Sequence, residues 1–363
     1  MKLLIVTTTV FELDGITNTV MNYYLNLDKT NLQIDFAVPN KVTDRLKKPI
    51  TENGGTVYEL AGRKKNPFLY WRKLREIIRS NRYDMIHAHG NSATLLLEMS
   101  AAKMAGTKIR IAHCHNTSCS HPVINRLLKP VFYKMYTHGF ACGLDAGKWL
   151  FGDRKFTVLK NGTEIEKYVF QSRVREEYRR KFNLTGRKVI GHVGNFVPQK
   201  NHEFIIYTFY ELIISNPDCV LILVGDGPLL NKMKQMAMEL GIYNKIIFMG
   251  KSFEVPYLLQ AMDVMILPSL FEGFPNVVVE WQIAGLPCIV SDTVTSQVKL
   301  TDLVEFLPLS LGPKAWAERL NKIELSDREK TREKVMKEVR EAGFDIRTNA
   351  IELRNLYFDF VKR

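Results

Sequence analysis

The sequence predicts an α/β protein with two doubly wound domains, and three observations support this prediction. Short β-rich runs alternate with helical patterns along almost the whole chain, which is typical of parallel sheets covered by helices. The alternation starts again near residue 188, so the same architecture is expected twice. The length of 363 residues also exceeds what one average domain needs.

Each half of the chain contributes a series of predicted strands. In the first half they are LLIVTT (3–8), QIDFAV (33–38), DMIHAH (84–89), IRIAHC (109–114), GFAC (139–142) and FTVLK (156–160). In the second half they are KVIGHVG (188–194), CVLILVGDG (219–227), KIIFMG (245–250), DVMILP (263–268) and PCIVSD (287–292). The helices predicted between them include 16–27, 68–79, 92–105, 123–136, 201–215, 228–240 and 277–284. A charged connector is expected near 161–185, and the last twenty residues read as an amphipathic helix.

Composition narrows the class of protein. Hydrophobic residues make up 46% and charged residues 25% of the chain, as in globular proteins, and no apolar run reaches the roughly 20 residues of a membrane span. The start, MKLLIVTTTV, reads as a strand and not as a signal peptide. Five scattered cysteines (114, 119, 142, 219 and 288) form no C-x-x-C pair. A reducing compartment, the cytoplasm, is therefore expected.

Charge is distributed unevenly between the two halves. Residues 1–170 carry 25 Lys and Arg against 14 Asp and Glu, a net charge of +11. Residues 171–363 carry 26 against 24, a net charge of +2. The basic half is therefore expected to meet something anionic, and the charge alone leaves open nucleic acid, anionic lipid or a phosphorylated substrate.

Two residues near helix starts are candidates for binding phosphate. Gly15 opens the first predicted helix, where free amide hydrogens and the helix dipole favour an anion. An ordinary turn glycine explains this stretch equally simply. Lys200 precedes a helix after the strand KVIGHVG and would face whatever the strand ends hold, although a solvated lysine fits as well.

Histidines cluster at two other strand ends. On a strand, His113 and His115 point to one side and Cys114 to the other. With Cys119 and His121 they suggest zinc, but the spacing matches no usual zinc pattern and the alternation splits the ligands, so no metal is expected. A histidine facing a ligand at the strand end is more economical. The second group, IHAHG, places His87 and His89 in the same kind of position, where a structural role is equally plausible.

The stretch SLFEGFPNVVVEWQIAGLPCIVSD (269–292) combines two acids with a tight loop. The strand before it delivers Glu272, and the GFPN loop leads into a helix whose positive end points the same way. Glu280 interrupts an apolar run, where burying an unpaired charge is costly. Two solvated glutamates would not explain that position, whereas a carboxylate that binds two ribose hydroxyls beside a diphosphate would.

These motifs together resemble the retaining GT-B glycosyltransferases of family four. EGFPNVVVE followed by AGLPCIVSD resembles their sugar-nucleotide motif. VLKNGTE, HVGNFVPQKNH, LVGDGPL, IIFMG and AMDVMILPS precede it and also resemble motifs of that family, in its usual order. IHAHG, RIAHCHNT and GKWLFG are similar to its bacterial exopolysaccharide and capsule branch. The resemblance implies two Rossmann-like domains facing each other across a cleft: an acceptor domain (1–165) and a nucleotide-sugar domain (166–344), with helix 345–363 crossing back to the first.

The resemblance also implies roles for individual residues. Glu280 would hold the ribose, Lys200 would neutralise the departing phosphate, and Glu272 would contact the donor sugar. His115 would line the reactive face of the sugar, with His113 as the second choice.

Further residues would hold the rest of the nucleotide. The diphosphate would meet Gly15 and the backbone of Phe274, Pro275, Asn276 and Val277, where every residue except Pro275 carries an N–H, and the base would meet the loop after Gly250. Asn195 stands in this nucleotide-sugar site where the family usually has arginine. One cation is therefore missing beside Lys200, or is supplied from elsewhere.

The implied reaction is metal-independent transfer of a hexose, with retention, from a nucleotide-diphosphate sugar, with UDP as the expected nucleotide. Without a D-x-D motif or an evident nucleophile, the leaving phosphate itself would accept the proton of the acceptor. A sugar-nucleotide epimerase of the same architecture and a non-catalytic membrane-associated scaffold are the alternatives.

The acceptor side is expected to be basic and to touch a membrane. Residues 62–83 carry eight cations against one acid, with the aromatic residues Phe68, Tyr70 and Trp71 at the start of the predicted helix. This segment reads either as an interfacial helix on anionic lipid or as a surface helix with a solvated basic face. The acceptor-side candidates are His89, Arg63, Lys64, Lys65, Trp71, Arg72 and Lys73. A polyprenyl-diphosphate saccharide at the inner face of the cell membrane is the expected acceptor, and nucleic acid is not expected.

Overall fold

The computed structural model describes residues 1–12, 15–325 and 327–362. The chain divides into two compact units. The first contains Met1–Gly162 and the C-terminal helix that begins at Ile346, and the second contains Thr163–Asp345.

The first unit is built on a seven-stranded parallel sheet in the order β3-β2-β1-β4-β5-β6-β7. Its strands are β1 (Lys2–Thr7), β2 (Gln33–Val38), β3 (Val57–Glu59), β4 (Met85–Gly90), β5 (Ile109–Cys114), β6 (His138–Ala141) and β7 (Thr157–Val158). Its helices are α1 (Gly15–Asn26), α2 (Asp44–Glu52), α3 (Pro67–Asn81), α4 (Leu96–Met104), α5 (Pro122–Phe132), α6 (Leu144–Phe151) and, at the end of the chain, α15 (Ile346–Lys362).

The second unit has a six-stranded parallel sheet in the order β10-β9-β8-β11-β12-β13. Its strands are β8 (Val189–Val193), β9 (Val220–Val224), β10 (Ile246–Gly250), β11 (Val264–Leu267), β12 (Cys288–Ser291) and β13 (Val304–Leu307). Its helices are α7 (Ile165–Tyr168), α8 (Ser172–Lys181), α9 (His202–Ser215), α10 (Leu230–Glu239), α11 (Val255–Ala261), α12 (Asn276–Ile283), α13 (Gly312–Lys322) and α14 (Arg328–Glu341).

Helices cover both faces of the second sheet, which explains why its strands read as continuous apolar runs. Along β9, Val220, Ile222 and Val224 belong to one hydrophobic core, and Leu221 and Leu223 belong to the other. This alternation is the two-residue period of a strand buried on both faces. The prediction of two doubly wound α/β domains is confirmed.

Helix α15 is amphipathic, as its sequence predicts. It buries Ile346, Ala350, Leu353 and Tyr357, spaced by three or four residues, in the core of the first unit. Among the described residues, no helix combines the length and the apolar character that crossing a bilayer requires.

The connector expected near 161–185 contains the boundary between the two units, at Gly162 and Thr163, and it also contains two helices. Residues 165–168 and 172–181 form helices α7 and α8, which pack within the second unit. Helix α8 is held by charge: Arg175 lies 2.5 Å and Arg179 3.1 Å from the carboxylate of Asp263, whose side chain is almost fully buried. The stretch is polar because its helix packs through ion pairs.

Candidate functional site

Lys200 and Glu272 meet at the carboxyl ends of two neighbouring parallel strands. Lys200 follows β8 in the turn Pro198–Lys200, and Glu272 follows β11, which pairs with β8. The Lys200 amine lies 2.6 Å from the Glu272 carboxylate, and their side chains are 16% and 8% exposed. This edge of an open α/β sheet is where such folds bind ligands.

Two further side chains fix the orientation of the Glu272 carboxylate. The Gln199 amide donates to one carboxylate oxygen at 3.0 Å, and the Ser269 hydroxyl donates to the other at 2.8 Å. The Leu270 amide also donates to the Gln199 carbonyl, which ties the two loops together. Sequence reasoning missed Gln199 and Ser269. Their positions offered a signal, because Gln199 directly precedes Lys200 and Ser269 is the first residue of the stretch 269–292.

The backbone beside this pair approaches so closely that it requires glycine. A Cβ at Gly225, whose φ is +147°, would lie 2.0 Å from the Gly194 carbonyl oxygen. The Gly225 amide in turn donates to the carbonyl of Gly250, the last residue of β10. Asn195 directly follows Gly194 and is exposed. Asn195 and Gly250 therefore lie at the same edge of the sheet as the ends of β8 and β9.

The N-terminus of α12 lies shortly after β11 and Glu272 in the chain. The helix begins at Asn276, one residue earlier than predicted, with Pro275 as its N-cap and Val277 in its first turn. The first amides of a helix have no partner within it and carry its positive dipole end. The ring of Phe274 stacks on Phe344 at 5.2 Å, which anchors the loop before the helix.

Glu280 lies on the same helix and hydrogen-bonds the hydroxyl of Tyr168, which ends α7. Burial raises the pKa of Glu280 to about 7, and the hydrogen bond from Tyr168 only partly opposes this effect. A neutral hydrogen-bonding residue at this position would destabilise the fold less than an ionised carboxylate does. Tyr168 was missed because its segment was taken for a connector.

The first unit brings four histidines together. His87 and His89 on β4 and His113 and His115 at the end of β5 share one face of the sheet, with neighbouring ring centroids 4.1–5.2 Å apart. His89 and His115 are joined by a 2.9 Å hydrogen bond. His87 bonds His113 at 3.1 Å and the Tyr357 hydroxyl of α15 at 2.6 Å. His115 is 8% exposed against 1% for His113, so His115 lies nearer the surface at the strand end.

Potential metal-ligating atoms of His87, His89 and His113 lie within 4.8 Å of one another. Hydrogen bonds within the cluster and to Tyr357 engage ring nitrogens of all three. Cys114, which entered the sequence-based zinc alternative, instead directs its thiol to the Asn116 carbonyl.

The histidine cluster should make the protein sensitive to acid. Burial lowers the pKa of His87 and of His115 to about 3 and keeps those of His89 and His113 well below the ordinary value. A histidine that is neutral when folded stabilises the fold above its unfolded pKa near 6.5, and this stabilisation is lost as pH falls from there towards 3. Each such histidine contributes a slope of about 1.4 kcal/mol per pH unit.

We therefore expect the free energy of unfolding of His113→Met, measured in urea, to depend less steeply on pH between pH 7 and pH 5 than that of the wild type. His121→Met is the matched control, because His121 is exposed. Parallel curves for the wild type and His113→Met would contradict the expectation.

Gly15 begins α1 and faces open space, since a Cβ added there would meet no atom within 4 Å. The preceding residues Leu13 and Asp14 lie outside the described residues.

The structure places several of the predicted site residues in contact. Lys200 and Glu272 form an ion pair, and His89 and His115 form a hydrogen bond with each other. Glu280 hydrogen-bonds Tyr168, which the sequence did not single out.

The acceptor-side prediction needs two corrections. Arg63 is not a free surface cation, because its guanidinium binds both oxygens of the fully buried Glu98 at 2.7 and 3.0 Å. Tyr70, expected among the interfacial aromatics, is buried. Trp71 is half-buried and donates its indole hydrogen to Ser100 of α4 at 3.0 Å. Helix α3 therefore packs through its apolar side, and the other predicted acceptor-side cations, Lys64, Lys65, Arg72 and Lys73, are exposed.

Comparison with known proteins finds a matching family and similar glycosyltransferases. Residues 174–342 match the family described as "Glycosyl transferases group 1". The putative glycosyltransferase EpsF of Bacillus subtilis is 32% identical over 94% of this chain and 93% of its own length. The UDP-Gal:alpha-D-GlcNAc-diphosphoundecaprenol alpha-1,3-galactosyltransferase of Escherichia coli is 30% identical over 60% of each chain.

Solved structures show the same fold. HepE from Anabaena, in complex with UDP-glucose, aligns with a TM-score of 0.78 at 18% identity, covering 99% of this chain and 100% of that one. Together with two parallel Rossmann-like sheets of seven and six strands, this likeness identifies the fold as GT-B.

Proposed function

Because the chain belongs to the group 1 glycosyl transferases, we propose that it moves a hexose from a UDP-sugar to a lipid-linked saccharide with retention of anomeric configuration. The product would serve exopolysaccharide or capsular polysaccharide assembly. The observation that carries this proposal is the fixed Lys200–Glu272 pair at the strand ends of the second unit. The relative with a diphosphoundecaprenol acceptor supports the acceptor class, and the UDP-glucose complex of HepE supports the nucleotide.

The donor is proposed to bind along the carboxyl edge of the second sheet. Glu280 accepts hydrogen bonds from the ribose hydroxyls, and the segment from Phe274 to Val277 at the start of α12 holds the diphosphate through the N–H groups of its residues other than Pro275. Gly15 offers a second open helix start for the same group. The base meets the loop after Gly250, and Asn195 lies beside the leaving phosphate.

Lys200 and Glu272 have separate roles at the bond between the sugar and the phosphate. The two side chains lie 2.6 Å apart and neutralise each other's charge. With donor bound, Glu272 accepts hydrogen bonds from sugar hydroxyls, and Lys200 turns to the phosphate on which charge develops as the bond between C1 and the phosphate oxygen breaks. The acceptor oxygen forms the new bond to C1 on the same face, and its proton passes to the leaving phosphate. His115 is the proposed contact to the reactive face of the sugar.

This chemistry places the positive charge on Lys200 and on the α12 amides, so we propose that the reaction needs no metal ion. The test is transfer from UDP-glucose, UDP-galactose and UDP-N-acetylglucosamine to a short-chain polyprenyl-diphosphate saccharide, with GDP-mannose as the donor control. We expect an α-linked product by NMR with one UDP-sugar, and activity that survives EDTA. An inverted product, strict dependence on added metal, or the absence of both transfer and UDP binding would each contradict the proposal.

A polyprenyl-diphosphate acceptor resides in the membrane, so the proposed enzyme works peripherally at the inner, anionic face. The exposed cations of α3 and of the loop before it (Lys64, Lys65, Arg72 and Lys73) suit that surface. His89 contributes on this side through its hydrogen bond to His115.

A further inference from the structure

Helix α5 leaves an apolar stripe uncovered. Val123, Ile124, Leu127 and Val131 are 70%, 47%, 72% and 46% exposed, and we call these four residues the α5 stripe. Positions 123, 127 and 131 are four residues apart, which places them on one face of the helix.

The opposite face of α5 holds the helix in place. Asn125 is buried and accepts a 2.8 Å hydrogen bond from the Ala93 amide, and Phe132 is buried beside Phe151 and Tyr136. The stripe is therefore the outer face of a firmly packed helix. Singly exposed apolar residues need no explanation, whereas four on one helical face indicate a contact surface.

The surroundings of the stripe carry charge of one sign. No Asp or Glu occurs between Glu98 and Asp145, and this interval holds six Lys and Arg. Arg110 and Lys129 are half-buried and bind the carbonyl groups of Met135 and Trp149. Lys103, Lys108, Arg126 and Lys134 are exposed, and the Lys103 amine lies 3.4 Å from the Lys134 carbonyl oxygen.

The basic character continues onto α3. Helix α4 packs against both α3 and α5, so the three form one layer. Phe68 at the start of α3 is 72% exposed, and Met104 at the end of α4 is 60% exposed. An apolar stripe in a layer of helices that also carries exposed cations matches a bilayer with anionic headgroups, where apolar side chains enter the acyl boundary and cations stay outside.

We infer that the α5 stripe inserts into an anionic lipid surface and that this insertion, with α3 as an electrostatic neighbour, docks the protein on the membrane. The inference rests on the proposed lipid-linked acceptor, because α5 begins seven residues after His115 and would bring the membrane close to that strand end. It moves the principal contact from α3, whose apolar side is buried, to α5.

The test is co-sedimentation with vesicles of phosphatidylcholine alone and with added phosphatidylglycerol. The stripe variant carries Val123→Ser, Leu127→Ser and Val131→Ser, and we expect its partition coefficient on anionic vesicles to fall by about tenfold or more. The matched control carries Ile214→Ser, Met238→Ser and Ile351→Ser, at positions 68%, 52% and 62% exposed, and should bind as the wild type does. A charge variant with Lys64, Lys65, Arg72 and Lys73 changed to Gln should lose salt-sensitive binding only in part.

A second measurement separates insertion from adsorption. Tryptophan at position 127, introduced as Leu127→Trp, should shift its emission to shorter wavelength on anionic vesicles, and bromine-labelled acyl chains should quench it. Equal sedimentation of the wild type and the stripe variant, or no shift for Leu127→Trp, would overturn the inference. A wild-type dimer that the stripe variant converts to monomers would also overturn it, in favour of a second copy of the chain.

UDP binding by calorimetry on the same proteins keeps this inference separate from the proposed function. If the wild type binds vesicles through the stripe but does not bind UDP, the proposed function fails and the docking surface stands. If it binds UDP but ignores the vesicles, the docking surface fails alone.

Discussion

Replacing Lys200 by methionine should lower kcat for sugar transfer by about 10²–10³-fold, the usual loss when one preorganised donor to a developing anion is removed. Lys200 is held 2.6 Å from Glu272 and is the cation that the structure places at this strand end. Asn195, which follows Gly194 at this edge of the sheet, is uncharged and adds no positive charge beside Lys200. The effect should fall mainly on kcat, because the charge that Lys200 stabilises grows in the transition state.

The control for this prediction is Lys232→Met. Lys232 also pairs with a glutamate, Glu203 at 3.5 Å, but both side chains are more than half exposed, so the change should leave kcat unaltered. Lys200→Arg should retain part of the activity, because it keeps the charge. Gln199 and Ser269 still satisfy Glu272 in the methionine variant, so its thermal midpoint should show that it is folded. A kcat within threefold of the wild type would exclude Lys200 from the reaction.

The sequence predicted the central strands well because burial on both faces leaves a strong apolar run. QIDFAV and IRIAHC match β2 and β5 residue for residue. The strands missed, β3 and β13, each lie at a sheet edge, where residues such as Tyr58 and Glu305 remain partly exposed and the run is weaker. Strand β7, also at an edge, is only two residues long where five were predicted.

Contacts between distant residues were beyond sequence reasoning. Lys200 and Glu272 were assigned separate roles, and their direct ion pair, 72 positions apart, depends on the register of β8 against β11. The Tyr168–Glu280 hydrogen bond is of the same kind.

One signal was present and unused. Glu98 lies in the apolar run LLEMSAAKM, and a buried charge needs a partner. The same argument singled out Glu280. Applied to Glu98, it would have indicated that a nearby cation is committed to an internal ion pair, and in the structure that cation is Arg63.

Glu280→Gln should change stability and donor binding in opposite directions. Burial raises the pKa of Glu280 from 4.5 to about 7, so its contribution to stability is fully present below pH 4.5 and is lost as pH rises through 7. At pH 8 the folded protein therefore carries a half-buried, poorly solvated carboxylate, at a cost of up to about 3 kcal/mol. Glutamine removes that cost and still accepts the Tyr168 hydrogen bond, so the unfolding free energy should rise by up to about 3 kcal/mol at pH 8 and change little at pH 4.

Donor affinity should fall in the same variant, because the ribose hydroxyls lose a charged acceptor worth roughly 1.5–3 kcal/mol, or about 10- to 100-fold in Kd. Calorimetry with UDP and urea unfolding at pH 4 and pH 8 measure both quantities. Glu203→Gln, an exposed glutamate on α9 of the same unit, should alter neither. If the variant gains stability but binds UDP as the wild type does, Glu280 does not hold the ribose. If the variant loses UDP binding but its unfolding free energy does not rise at pH 8, the ionised Glu280 carboxylate does not destabilise the fold. A protein retains a destabilising charge where a ligand needs it, so a stability gain paired with an affinity loss is the signature that assigns Glu280 to the donor site.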